Sequence, residues 1–387
     1  MRQAGPDCDE IIAITPLDRR EVWDIQVEED HSYVSQGLIH HNSSDPNLQQ
    51  LPTKSTVKRI YTSRWAAEDG GIISYDMSQI ELRLIAAACG DESMVRAYWD
   101  GVDLHSLSMS KIFRRPYEEC TKEYDEWLQH QGRDADSHKA KLQRKISKTI
   151  NFLTGYGGGA NGLQGTLAGD SVYFTIEQCE QFLEAFFDSY PTLRNYLSAY
   201  KRFIAENGVA ISILGRVRVF EEVFSDDKGL VNKALRAGCN HLIQATASDM
   251  MLICLCVVEH LMRQEELESV LVSTVHDSMV IDFRNRQELP RVHEIVMSVL
   301  QNLPEVMQLW FGPDFDLSWM IVPFDGDGEV GKNYYDLRTI PKTGTIDWDA
   351  LLDDHGSTKS KEEYQGGRDR ALLGSQIKHS IDANVTA

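Results

Sequence analysis

Near its start the chain alternates apolar and polar residues in short runs, I-I-A-I-T (11–15), E-V-W-D-I-Q-V (21–27) and H-S-Y-V-S-Q-G-L-I (31–39), set apart by turn-forming P-L-D and E-E-D segments. A period of two over so few residues predicts strands, and 10–42 reads as a small all-β unit. After the loop-like S-S-D-P-N-L-Q-Q-L-P (43–52), the run G-I-I-S-Y (71–75) predicts a buried strand ending on Asp76, and 79–88 continues as a helix. From 91 to 235 the spacing is helical, with helices predicted over 139–155, 176–188 and 192–206, and the highly charged 117–136 reads as a surface insertion. A long helix over 236–262 leads to V-L-V-S-T-V (270–275) and S-M-V-I-D-F (278–283), two strands joined at His276 and Asp277. Beyond 337 the chain turns polar and predicts a loosely ordered tail in which 348–352 docks as one turn. The fold class is α/β.

Composition narrows this little and charge narrows it more. With 387 residues, 42% of them hydrophobic, the chain is long enough for two or three packed domains. No run approaches the ~18 apolar residues of a membrane span, and the opening residues lack the apolar core of a signal peptide, so a soluble intracellular protein with no membrane partner is expected. The 7 cysteines lack a C-x-x-C pair and read as reduced core thiols. A formal charge of −20 argues against nucleic acid, which is met by Lys and Arg. The distribution argues for it: between Asp136 and Asp170 no acid occurs while Lys139, Lys141, Arg144, Lys145 and Lys148 do, and Lys54, Lys58, Arg59 and Arg64 share a second acid-free interval.

On the helix over 141–155, Arg144, Lys148 and Phe152 recur at i, i+4 and i+8 and form one stripe, with Ile146, Ile150 and Leu153 on the opposite side. Two cations and an aromatic on one face suit a triphosphate and a flat base. A second stripe, Arg236, Asn240 and Gln244, carries hydrogen-bonding groups of the kind that read a groove. Asp76 and Asp277, both at bends, form a pair able to hold hard divalent ions, although either one alone is more often a turn residue.

In this order the segments D-M-S-Q-I-E-L-R (76–83), R-K-I-S-K-T-I-N-F-L-T-G-Y-G (144–157) and V-H-D-S (275–278) resemble the three motifs of the family A, or DNA polymerase I type, enzymes. The resemblance covers 43 to about 335. It implies an antiparallel palm sheet from 43–91 and 236–336, helical fingers over 92–235, and a tail over 337–387. It further implies that Asp76, the Met77 carbonyl and Asp277 bind two Mg²⁺, or Mn²⁺ in their place. Lys148 contacts the triphosphate and protonates pyrophosphate, with Arg144 and His105 on the outer phosphates. Glu81 is the steric gate against a ribose 2′-hydroxyl, Phe152 stacks on the incoming nucleotide, and Tyr156 holds the templating pocket. Arg236, Asn240, Gln244 and His276 track the minor groove and primer end. Primer-template DNA and dNTPs are the implied partners, and the spacing around 157–159 favours a phage-like branch. One position departs: Ser278 stands where the family usually has a second acid. Single-subunit RNA polymerases carry the same His-Asp-Ser, which leaves an RNA polymerase as the enzymatic rival, although those enzymes lack the Q-I-E-L-R element. A catalytically dead DNA-binding replicase subunit is the rival of another class.

The segment 22–43, V-W-D-I-Q-V-E-E-D-H-S-Y-V-S-Q-G-L-I-H-H-N-S, resembles the C-terminal splicing block of inteins, and the polymerase resemblance begins where that block ends. The resemblance makes Asn42 the amide that cyclises on its own carbonyl and Ser43 the hydroxyl nucleophile, with His41 assisting and Asp24 and His31 activating the junctions. Some forty residues are few for an intein, so 1–42 is expected to be the C-terminal fragment of a split intein. A separate N-terminal polymerase chain carrying the N-terminal intein fragment is then the expected partner, without which this chain is weak or inactive. The expected location is a bacterial or phage-infected cytoplasm. A contiguous intein is the alternative.

Overall fold

The computed structural model describes residues 32–35, 38–41, 58–59, 61–275 and 277–352. The chain divides into units 1–55 and 56–387. In the first, β1 (Ser32–Ser35) and β2 (Leu38–His41) pair antiparallel with Ser32 opposite His41 and Ser35 opposite Leu38. The remaining strands expected there, together with Asp24, His31, Asn42 and Ser43, lie outside the described residues.

The second unit is built on a five-stranded antiparallel sheet with β3 (Gly71–Met77) at its centre. β7 (Ser278–Phe283) flanks it on one side with β6 (Val270–Val275) beyond, and β8 (Gly326–Gly331) flanks it on the other with β9 (Arg338–Thr339) beyond. Side chains alternate across a strand, so register sorts the residues into two faces. Ile73, Tyr75 and Met77 lie level with Ile281, Met279 and Gly326, and this apolar face belongs to the main hydrophobic core. On the other face Asp76 lies between Ser278 and Asp327, and Ser74 lies between Val280 and Glu329. The sheet therefore has one greasy face and one acidic one.

Helices fill the interval between β3 and β6. They are α1 (Ile80–Cys89), α2 (Glu92–Trp99), α3 (Leu104–Phe113), α4 (Lys122–His130), α5 (Asp134–Gly155), α6 (Ala160–Gly169), α7 (Ile176–Ser189), α8 (Pro191–Asn207) and α9 (Lys228–Gln264). Their starts follow local chemistry: the side chains of Asp91, Asp103, Thr121 and Asp227 accept from first-turn N–H groups, and Thr175 with Gln178 forms a capping box. α1 and α5 come close because Gly155 has no side chain, since a Cβ there would overlap Ile85 Cδ1.

Three features differ from the sequence expectation. The helical stretch 91–235 contains a hairpin, β4 (Val209–Ile211) with β5 (Val217–Val219), whose three-residue strands are too short to show a period. The charged 117–136, read as a surface insertion, is mostly exposed but helical: α4 docks on α5 through Leu128, which shares a small core with Met109, Cys120 and Ala140. Among the described residues α9 is long and apolar enough to cross a membrane, yet 67% of its apolar window is buried inside the protein, so the window serves the core.

After β7, α10 (Leu289–Gln301) and α11 (Leu303–Phe311) complete the core, and α12 (Trp348–Leu352) follows β9. The described part of the segment from 337 is thus ordered, with Ile340, Leu351 and Leu352 buried and Trp348 edge-on to His293 at 5.2 Å. Of the six cysteines described, five are buried and Cys256 is exposed.

Candidate active site

β3 delivers Asp76 to the end of the sheet, and the chain must then reverse into α1 within two residues. Gln79 takes the left-handed conformation (φ 50°) to do so, a strained choice for a residue with a side chain. The surroundings hold it: Gln79 Nε2 donates to Asp103 Oδ1 at 3.4 Å and its Oε1 accepts from Tyr98 at 3.4 Å, while Arg83 Nε donates to the Ser78 carbonyl at 2.7 Å. The Met77 N–H donates to the Asp277 carbonyl at 3.3 Å, which ties the end of β3, where Asp76 lies within the strand and not at the bend expected, to the turn that carries Asp277.

Enclosure and then the adjoining Asp277, with smaller contributions from Asp327 and Glu329, push the Asp76 carboxyl up to about 8. Crowded carboxylates of this kind hold a proton that a divalent cation can replace. The donors are all oxygen, which selects hard ions. Among the described residues no group of three or more His, Cys, Asp or Glu side chains forms a ready metal cage. Ser278, the departure from the family pattern, donates from Oγ to the Val275 carbonyl at 2.8 Å, and its own carbonyl accepts from Thr274 Oγ1 at 3.0 Å, so it staples the hairpin.

Beside the carboxylates sits a second group. Gln244 Nε2 donates to Tyr156 Oη at 2.8 Å and also to Glu81 Oε1. Burial and the adjacent Glu81 raise the Tyr156 phenol, which stays neutral. Glu81 from α1, Tyr156 from the end of α5 and Gln244 from α9 thus form one network, with Asp277 near enough to act on the phenol. It ties the start of α1 to two more distant helices.

α5 presents the phosphate-type face. Arg144 is already engaged: Nη2 pairs with Asp103 at 2.6 Å and Nη1 donates to Ser106 Oγ at 2.5 Å. Burial acts to raise Asp103, but hydrogen bonds from Ser106 and Arg144 outweigh it and hold the acid at about 2. His105 is buried and pushed down to about 4, with Arg144 and Lys148 adding to the burial effect. Its Nδ1 lies 2.9 Å from Asn151 Nδ2, and its ring stands 5.6 Å from that of Phe152. Lys148 is exposed, lies over Phe152 at 5.9 Å, and forms no ion pair among the described residues.

The residues singled out by sequence therefore gather into two adjoining groups, Asp76, Met77, Asp277, Glu81, Tyr156 and Gln244 on one side and His105, Arg144, Lys148 and Phe152 on the other. Asn240 and Arg236 continue from Gln244 toward the start of α9, half-buried and exposed respectively. His276, Asp24, His31, Asn42 and Ser43 lie outside the described residues, and of His41 only its strand position is described. Sequence reading passed over Asp103 and Ser106, for which D-x-H-S at 103–106 was the available signal, and Asn151, which lies within the 144–157 segment. It also passed over Asp327 and Glu329, visible as the alternating acids of D-G-D-G-E.

The family model for DNA polymerase family A matches residues 40–336. The DNA polymerase of Bacillus phage SP01 is 28% identical over 307 residues, which are 76% of this chain and 30% of that protein. The thermostable DNA polymerase I of Thermus thermophilus is 30% identical over 264 residues, 68% of this chain and 28% of that protein. Among solved structures, the POL domain of Pol1 from M. smegmatis in complex with DNA primer-template and dNTP is similar in fold, with a TM-score of 0.60 at 23% identity over 79% of this chain and 49% of that chain. The chain thus spans about 30% of the length of these curated relatives.

Proposed function

The chain belongs to DNA polymerase family A, and from that premise we propose that it carries the catalytic centre of template-directed DNA synthesis, as part of a larger polymerase. The reaction forms a bond between the primer 3′-oxygen and the α-phosphorus of a dNTP and breaks the bond to the β-phosphate oxygen. The observation that carries this reading is the Asp76–Asp277 pair, two crowded oxygen donors facing each other beside the phosphate-type face of α5. Asp76, Asp277 and the Met77 carbonyl are the groups that would hold two Mg²⁺. Bound there, the ions supply positive charge that acidifies the primer hydroxyl and neutralises the triphosphate.

The chain's own side chains do the rest. Lys148, exposed and with its ammonium available, donates a proton to the departing pyrophosphate. Arg144 and the neutral His105 meet the outer phosphates, and Phe152 stacks on the nucleotide. Glu81, pinned by Gln244, blocks the space of a ribose 2′-hydroxyl, which favours DNA over RNA synthesis. Arg236, Asn240 and His276 follow the duplex.

We test this with primer extension in Mg²⁺ by the 387-residue chain, alone and supplemented with the upstream region of a polymerase. Asp76→Asn and Asp277→Asn should each abolish extension while leaving primer-template binding, read by fluorescence anisotropy, within about threefold. Extension by either variant would overturn the assignment, and equal use of ribonucleotides would favour an RNA polymerase.

The residues before Ser43 are read as the C-terminal end of a protein-splicing element that joins upstream polymerase sequence to Ser43. Two things support this: the agreement of 22–43 with the intein block, and the β1–β2 pairing that sets Ser32 opposite His41 just before Asn42. Supplied with an N-terminal intein fragment on a second chain, the protein should release residues 1–42 and ligate at Ser43, seen as a mass shift that Asn42→Ala blocks. Release of residues 1–42 from Ser43 in the Asn42→Ala variant would exclude the mechanism.

A further inference from the structure

β8 forms an acidic rim to the candidate metal site. Register sets Asp327 beside Asp76, Glu329 lies two residues further along, and Asp325 directly precedes the strand. Such carboxylates pose a chemical problem, since each can compete for a divalent ion and each repels a triphosphate. Among the described residues, Arg83 and Lys342 both act on this rim. Arg83 is engaged by the Ser78 carbonyl at 2.7 Å and by the Pro323 carbonyl. Lys342 follows β9 and lies beyond the 40–336 matched by the family model.

Lys342 Nζ donates to Asp325 Oδ2 at 2.8 Å and to Ser78 Oγ at 3.0 Å, and it pairs with Asp327 Oδ1 at 2.6 Å. An ammonium has three donors, and each has a partner here. Ser78, the residue next to Met77, also donates from Oγ to Asp327 and from its N–H to the Asp325 carbonyl at 3.0 Å. One lysine thus holds two acids of the rim and the turn that follows the Asp76 strand.

We infer that Lys342 is a positioning residue for the metal site, neutralising Asp325 and Asp327, holding them to the β8 flank, and fixing through Ser78 the peptide that follows Met77. It decides which carboxylates take the divalent ions. The inference rests on reading Asp76 and Asp277 as the metal pair.

Mn²⁺ binding by the full chain, followed by electron paramagnetic resonance, tests it without requiring polymerase activity. Lys342→Met should tighten Mn²⁺ binding on the order of tenfold or add a bound ion, as release of Asp327 from its ion pair to act as a further oxygen ligand predicts. Lys342→Arg should stay close to wild type, and adding Asp327→Asn to Lys342→Met should return binding toward wild type, as expected for two coupled charges. Thermal melts check folding; should Lys342→Met not fold, Asp327→Asn alone should leave Mn²⁺ affinity within about twofold, because Lys342 already neutralises that acid. Unchanged binding in Lys342→Met, failure of the double variant to revert, or a large effect of Asp327→Asn alone overturns the inference. If Asp76→Asn leaves Mn²⁺ binding intact, the metal-site reading fails and takes this inference with it; if Asp76→Asn abolishes binding while Lys342→Met does nothing, only the role of Lys342 fails.

Discussion

Asp103→Asn removes one charge and keeps the shape. Asp103 caps α3 through the Ser106 N–H at 3.1 Å and pairs with Arg144 at 2.6 Å. Asparagine retains a cap acceptor, so the substitution isolates the ion pair. The carboxyl falls from 3.8 to about 2 on folding, which corresponds to about 2 kcal/mol of stability at pH 7. Because the folded value is depressed, this stability is present above the unfolded value and lost as pH falls through the folded one, with about half remaining near pH 3. Urea unfolding should therefore find the variant about 2 kcal/mol less stable than wild type at pH 7 and about 1 kcal/mol less stable at pH 3. The same variant frees Arg144, so Mg²⁺-dNTP should bind the assembled polymerase at least threefold more tightly. A stability loss equal at both pH values would mean that the cap and not the charge was damaged. Unchanged or weaker dNTP binding would refute the idea that Asp103 competes with phosphate for Arg144.

Asp76→Asn should stabilise the metal-free chain, and more so at pH 8 than at pH 5. A carboxyl raised to about 8 on folding penalises the native state progressively as pH rises from 3.8 toward 8, and thermal melts at the two pH values check the sign. Glu81→Ala leaves the Gln244 amide without its carboxylate partner, costing about 1 kcal/mol in urea unfolding, and should lower discrimination against ribonucleotides at least tenfold in single-turnover extension. Gly155→Ala drives a methyl group into Ile85 where α5 crosses α1, and a cost of about 1–3 kcal/mol in urea unfolding is expected, relieved in part by Ile85→Val.

The strands and long helices were legible because their periods run long enough to register. β3, β6, β7, α5, α7 and α8 fall within a few residues of expectation, and α9 begins eight residues earlier than 236. The β4–β5 hairpin was not legible: three-residue strands show no period, and their stability comes from packing on α8 and α9, which a local pattern does not contain. α4 was hidden for a related reason, since one buried leucine and a capping threonine carry it amid charge. At the site, the stripe Arg144, Lys148, Phe152 was visible from spacing, and Asp76 and Asp277 from their places at the ends of apolar runs. Contacts between distant segments were not, among them Gln244 with Glu81, Gln79 with Asp103, and Lys342 with Ser78, because each requires knowing which elements meet.

The charge paradox of the sequence also resolves through such contacts. The basic stretch on α5 is largely answered by the chain's own acids: Lys141 approaches Asp125 at 3.7 Å, Arg144 pairs with Asp103 at 2.6 Å, and Lys145 pairs with Asp170 at 3.2 Å. Asp76 and Asp277, by contrast, crowd each other until Asp76 keeps a proton that a cation could replace. The free protein thus holds a set of cations paired with substitutes for phosphate and a set of anions short of a cation. On the reading proposed above, a magnesium-bound triphosphate would satisfy both at once, its oxygens competing for Arg144 and its metal relieving the carboxylates. Neither half of that complex does so alone, because a bare triphosphate adds charge to an acidic site and a bare ion leaves the α5 pairs undisturbed. A protein of net charge −20 can on this account favour a polyanion that arrives with its metal and reject one that does not.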